Sequence, residues 1–145
     1  MAPRHADNRR LLRARDAMDR RYAEALDVEQ LAASAHMSRA HFIRSFRDAF
    51  GETPHRYLQR RRMERAMALL RDTDRSVTEI CLDVGLASLG TFSRTFRDVV
   101  GVSPTAYRAR ERERAAARAR VPNCIAMAWD RPTSTFGEAG GDLPG

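Results

Sequence analysis

Residues 41–62 read HFIRSFRDAFGETPHRYLQRRR and residues 91–112 read TFSRTFRDVVGVSPTAYRARER, with ten of the twenty-two aligned positions identical. The matched pairs are Phe42/Phe92, Arg44/Arg94, Phe46/Phe96, Arg47/Arg97, Asp48/Asp98, Gly51/Gly101, Pro54/Pro104, Tyr57/Tyr107, Arg60/Arg110 and Arg62/Arg112. A chain of 145 residues that repeats itself at an offset of fifty must build the same small unit twice, each with one modest core. What recurs is a mixture of aromatic anchors, turn residues and arginine. Two copies of one binding surface follow from that mixture.

Helix starts and stops punctuate the chain to about residue 120, while strand patterns are nearly absent. The first helix is expected over Asn8–Ala25, with Leu11, Met18 and Tyr22 near helical spacing. Asp27 and Gln30 resemble a capping box opening a short helix through Leu31 and Ala35. Ser38 caps Arg39–Phe50, which Gly51 stops. Thr53 and Pro54 provide an N-cap and an N1 proline for a longer helix to about Arg71. Ser76 and Glu79 form a second capping box for a helix ending at Gly85, Ser88 caps the next as far as Gly101, and Ser103 with Pro104 starts the last, to about Arg118. The expectation is an all-α chain of seven helices: two helix-turn-helix subdomains joined by a long linker helix, a homeodomain-like arrangement. The subdomains are placed at residues 7–53 and 73–118, the linker at 54–72, and a mostly flexible tail at 119–145.

In the first pair Leu31, Ala32 and Met37 are expected to pack on Phe42 and Phe46; in the second, Ile80, Cys81, Val84 and Leu86 pack on Phe92 and Phe96. Gly85 suits the positive φ that such a turn needs, and His36 holds the corresponding place at some conformational cost. The second turn carries one extra residue.

All 26 basic residues are arginine and the formal charge is +7. The surplus lies in the repeated part, since residues 1–120 hold 25 Arg against 16 acids and the rest one Arg against three. Such a surplus attracts polyanions, above all nucleic acid. With Phe42, Phe46 and Ala49 turned to the core, the opposite stripe of that helix is Ala40, Ile43, Arg44 and Arg47, matched in the second copy by Gly90, Ser93, Arg94 and Arg97. Any one of these arginines alone would be read as a solvated surface residue. Their paired recurrence on equivalent helical faces favours binding. Small residues near the helix start let it enter a major groove, and an arginine one turn in reaches guanine O6 and N7. Arg39, Ala40, Ile43 and Arg44 of the first copy and Leu89, Gly90, Ser93 and Arg94 of the second are thus the candidate base-reading residues. Ser38, Arg47, Arg62, Thr91, Thr95 and Arg97 are the candidates for phosphate. The linker's roughly 18 residues span about 27 Å, near one duplex turn of about 34 Å, so one monomer can read a bipartite, asymmetric site. The Met63/Met67 stripe on that helix reads as core packing.

Cys81 and Cys124 lack metal-ligand spacing, and Cys81 reads as a core thiol. No signal peptide and no membrane-spanning apolar run is visible, which gives the expectation of a soluble cytoplasmic protein without metal or other cofactor. His41 beside Ser38, or Cys81 near His36, could be imagined as catalytic pairs, but no acid orients them, and the chain is not expected to be an enzyme. The run Cys124–Trp129 in the tail is expected to pack or to do nothing.

Together, LAASAHMSRAHFIRSF, GETPHRYL, RMERAMALLRDT and SVTEICLDVGLASLGTFSRTFRDVVGVSPTAYR closely resemble the DNA-binding domain of the AraC/XylS family of bacterial transcription regulators, over about Asp7 to Arg112. The family's signature in the second half is met here by Ile80, Cys81, Gly85, Leu86, Phe92, Arg94, Phe96, Gly101, Pro104, Tyr107 and Arg108. Leu86 stands where an aromatic is common and Cys81 where alanine is usual, both conservative for packing. Leu89 and Gly90 replace residues that are often polar, so base reading by the second unit is expected to rely on Ser93 and Arg94. The resemblance implies a regulator that binds double-stranded DNA in a sequence-specific way and activates transcription through RNA polymerase. It also implies either a stand-alone DNA-binding form or the DNA-binding fragment of a larger effector-responsive regulator. A non-specific or architectural DNA binder is the rival reading.

Overall fold

The computed structural model describes residues 2–120, and these residues form seven α-helices and no strand. They are α1 (Ala2–Arg20), α2 (Val28–Ser34), α3 (Arg39–Phe50), α4 (Pro54–Asp72), α5 (Val77–Asp83), α6 (Leu89–Val100) and α7 (Pro104–Arg120). The expected all-α architecture is the one observed. Ala109 closes the first of two compact units, and the described part of the second is Arg110–Arg120, the exposed end of α7, where Arg114 pairs with Glu111 at 3.1 Å. The expectations for the tail from residue 121, Cys124–Trp129 included, lie outside the described residues.

Local chemistry sets the helix ends. Ser38, Thr53 and Ser88 each adopt extended backbone and accept a hydrogen bond from the amide three residues on, satisfying an otherwise unpaired donor. Ser76 and Glu79 form the full reciprocal capping box. Asp27 caps α2 through the amide of Glu29, one residue nearer than the box expected with Gln30 would use. Gly51 and Gly101 close α3 and α6 in the left-handed conformation, with φ of 81° and 98°. α1 departs most from expectation, beginning earlier and ending at Arg20 instead of Ala25. The segment from Arg21 to Leu26 is therefore a loop.

Two hydrophobic clusters fill the first compact unit. Leu11, Ala14, Met18, Leu31, Ala32, Ala35, Phe42, Phe46, Tyr57 and Leu58 build one; Met63, Ala66, Leu70, Ile80, Cys81, Val84, Phe92, Phe96 and Tyr107 build the other. The duplication persists in three dimensions. Phe42 and Phe46 lie 5.8 Å apart at 52°, Phe92 and Phe96 5.9 Å apart at 48°. Phe46 meets Tyr57 edge-on at 5.6 Å, and Phe96 meets Tyr107 edge-on at 5.7 Å. Met37, Leu86, Met63 and Met67 all pack where the sequence places them. Ala49 does not: it is exposed, and the cluster is instead closed by Phe50, whose ring meets Phe46 edge-on at 4.6 Å and lies under the Arg15 guanidinium. α4 serves both clusters, through Tyr57 and Leu58 at its start and through Met63, Ala66 and Leu70 further along.

Candidate nucleic-acid interface

Burying Phe42 and Phe46 turns the other side of α3 outward, and burying Phe92 and Phe96 does the same for α6. Arg39, Ala40, Arg44 and Arg47 are exposed on α3, with Ile43 half-buried between them; Leu89, Gly90, Thr91, Arg94 and Arg97 are exposed on α6, with Ser93 half-buried. The two candidate stripes therefore lie on the surface in both repeats. Leu89 opens α6 at 45 % exposure, an apolar side chain with no hydrogen bond to offer a base edge. A Cβ at Gly90 would meet only Ser88 Oγ, at an ordinary 3.8 Å, and without one α6 begins with a low-profile face.

The arginines divide into two populations. Arg39, Arg44, Arg47, Arg94 and Arg97 form no ion pair or side-chain hydrogen bond among the described residues. Of those on α4, Arg60, Arg61, Arg62 and Arg71 are engaged, while Arg56 and Arg65 are exposed. Arg60 reaches Glu52 at 2.8 Å and lies over the Tyr57 ring, and Arg61 spans Asp19 at 3.0 Å and Glu64 at 2.8 Å. Charge on α3 and α6 is thus available to a polyanion, whereas four of the six arginines on the linker already have partners within the fold.

Arg62 corrects the sequence reading outright. The sequence puts it among the phosphate contacts, yet it is only 7 % exposed, with Nε donating to the Tyr22 carbonyl at 2.7 Å and Nη2 to the Glu24 carbonyl at 2.9 Å. Burial lowers its pKa from the ordinary guanidinium value, but an arginine stays charged across the working pH range. Its fork binds a loop, and phosphate cannot reach it. Arg108 has the corresponding task one repeat later, with Nε donating to Leu70 O at 3.1 Å and Nη2 to Thr73 O at 3.2 Å. The sequence alignment pairs Arg62 with Arg112, one helical turn from the residue that takes this role.

Among the remaining phosphate candidates, the Ser38 hydroxyl accepts from the His41 amide at 3.2 Å and keeps its own proton free to donate, at the exposed start of α3. Thr91 stands at the equivalent position to His41, its amide bonded to Ser88 Oγ at 3.2 Å. Thr95 is half-buried and faces a groove shared with His55, Arg56 and Gln59 of α4. Cys81 is buried, its thiol donating to Leu86 O at 3.2 Å, and burial raises its pKa. His41 Nε2 lies 3.8 Å from Asp7. Among the described residues no helix is long and apolar enough to cross a membrane, and no group of His, Cys, Asp and Glu gathers that could hold a metal ion.

A family model described as a helix-turn-helix domain matches residues 31–110, more than half of the chain. An HTH-type transcriptional regulator of Haemophilus influenzae is 42% identical over 81 residues, which are 56% of this chain and 27% of that protein. The MmsAB operon regulatory protein of Pseudomonas aeruginosa is 38% identical over 88 residues, 61% of this chain and 29% of that one. The chain thus spans less than a third of the length of these relatives. Among solved structures, the DNA-binding domain of the global transcriptional factor AdpA, crystallised with a target DNA, is 38% identical with a TM-score of 0.69, the match covering 72% of this chain and 94% of that one.

Proposed function

This chain belongs to the helix-turn-helix domain family of AraC/XylS type, and from that premise we propose that it is a sequence-specific DNA-binding transcription regulator. In this reading α3 and α6 enter successive major grooves on one side of a duplex. The observation that carries it is the sorting of arginines: those matched between the repeats on the outer faces of α3 and α6 are uncommitted, while Arg60, Arg61, Arg62 and Arg71 of α4 are held by internal partners.

Arg44 and Arg94 take the base-reading role, each one turn into its helix and able to present a fork to guanine O6 and N7. Arg39, Ala40 and Ile43 surround the first; Leu89, Gly90 and Ser93 surround the second. Arg47 and Arg97, with Ser38, Thr91 and Thr95, hold phosphates and set register. α4 has 19 residues, a length of about 28 Å, which suits two half-sites about one duplex turn apart. A single copy of the chain then covers an asymmetric site, and activation through RNA polymerase is the regulatory outcome this reading favours, in the cytoplasm where the promoter lies.

Leu89 and Gly90 favour a second reading, an architectural binder, because neither side chain can discriminate bases by hydrogen bonding. Selection of bound duplexes from a random pool separates the two. A regulator enriches a bipartite sequence with half-sites about 10 base pairs apart and prefers it over bulk DNA by about 10³-fold or more. Recovery of sequences no better than bulk DNA would reject the regulator.

A further inference from the structure

Three consecutive residues between α1 and α2 touch more of the molecule than a connector needs to. Tyr22 packs against both hydrophobic clusters. The carbonyls on either side of Ala23, those of Tyr22 and Glu24, are both held by the buried Arg62 fork from α4. Ala23 itself lies against the turn of the second repeat: a Cβ at Gly85 would come within 2.6 Å of Ala23 O, 2.8 Å of its carbonyl carbon and 2.9 Å of its Cα. Gly85 has φ of 88°, and its turn leads into the Ser88 cap of α6. Across the wedge, the same loop leads into the Asp27 cap of α2.

We infer that Tyr22–Glu24 is a spacer, locked by Arg62, that sets the placement of α6 relative to α3 and so determines which separation of DNA half-sites the protein accepts. The inference rests on the DNA-reading function proposed above. Its physical basis is that backbone pressed on backbone is stiff, with no rotamer to absorb a displacement. Arg108 makes the equivalent fork onto the C-terminal end of α4, at the Leu70 and Thr73 carbonyls. The Arg62 anchor holds a loop whose Tyr22 packs against both clusters. Arg62 is a positioning residue, acting on DNA through the loop it grips.

One base pair inserted between half-sites moves the second groove by about 3.4 Å and rotates it by about 34°. The test uses the full chain and the bipartite duplex enriched from a random pool, with one base pair added or removed between its halves. The wild type is expected to lose about tenfold or more in affinity at either altered spacing. Arg62→Met, which keeps the stem and removes the fork, is expected to lose that discrimination and bind all three spacings within about threefold, with Arg62→Lys intermediate. Gly85→Ala pushes on the same loop from the opposite side and should flatten or shift the optimum, which keeps the test decisive should Arg62→Met not fold. Uniform weakening at every spacing in both variants, with the wild-type optimum kept, would overturn the inference and leave DNA reading intact. A wild type that selects no bipartite site at all would remove the parent reading together with it.

Discussion

His36 and Gly85 occupy the same place in the two helix-turn-helix turns, and both have positive φ, 57° and 88°. The turns solve one geometric requirement with different residues. His36 bears a side chain there and remains exposed, whereas Gly85 faces the Ala23 backbone and has no room for a Cβ. The two substitutions below separate conformational strain from crowding.

His36→Gly should change stability by no more than about 0.5 kcal/mol, since relief of left-handed strain is offset by greater freedom of the unfolded chain. Gly85→Ala adds strain of about 1–2 kcal/mol to a collision with fixed backbone of about 1–3 kcal/mol. Urea denaturation of the two variants should therefore give very different midpoints. Equal midpoints would show that Ala23 can move away freely.

Arg44→Ala and Arg94→Ala should each lose about 1–3 kcal/mol on the selected duplex and relax base preference at one position. Loss of the same size on random duplex would reduce both side chains to charge carriers. The readout is a pair of titrations per variant, cognate and random, at one salt concentration.

Arg47→Ala and Arg97→Ala should weaken binding to all sequences alike, and each should lower the slope of log affinity against log salt by about 1. A slope that does not change would show that the side chain is not near phosphate in the complex. Titrations across a range of salt at fixed pH provide the measurement.

The Tyr57 hydroxyl donates to Asp19 Oδ1 at 2.7 Å, and burial, with that carboxylate, pushes its pKa from 10 up to about 12. The folded state thus holds this proton more tightly than the unfolded chain. The resulting stabilisation is complete below pH 10 and is lost as pH rises from 10 to 12. Tyr57→Phe should cost about 1–2 kcal/mol at neutral pH and should show a smaller decline than the wild type across that alkaline window. Parallel denaturation curves from pH 8 to 12 check both parts.

Helix ends were legible because capping is local chemistry: Ser38, Thr53, Ser76 and Ser88 cap in the structure as their spacing predicts. Core aromatics were legible through periodicity and repetition. Arg62 was misread because a charged side chain in an arginine-rich run looks solvated, and nothing local reveals that two carbonyls some forty positions earlier wait for it. Ala49 was misread because helical spacing alone does not tell which of two adjacent residues closes a cluster, and the larger Phe50 does so. α1 was drawn too far because no glycine or proline marks its end; Arg20 is instead followed by a loop whose course is set by Arg62 and Gly85. The outward faces of α3 and α6 needed only the positions of the buried phenylalanines.

The sharing of α4 limits how separable the two repeats are. Leu58 belongs to one interior and Met63 to the other, so a protease nick between them would leave each fragment its own buried residues but would part the second from Tyr22, which packs on both interiors, and break the helix that joins them. Sequence and shape are doubled in this protein, but autonomy is not.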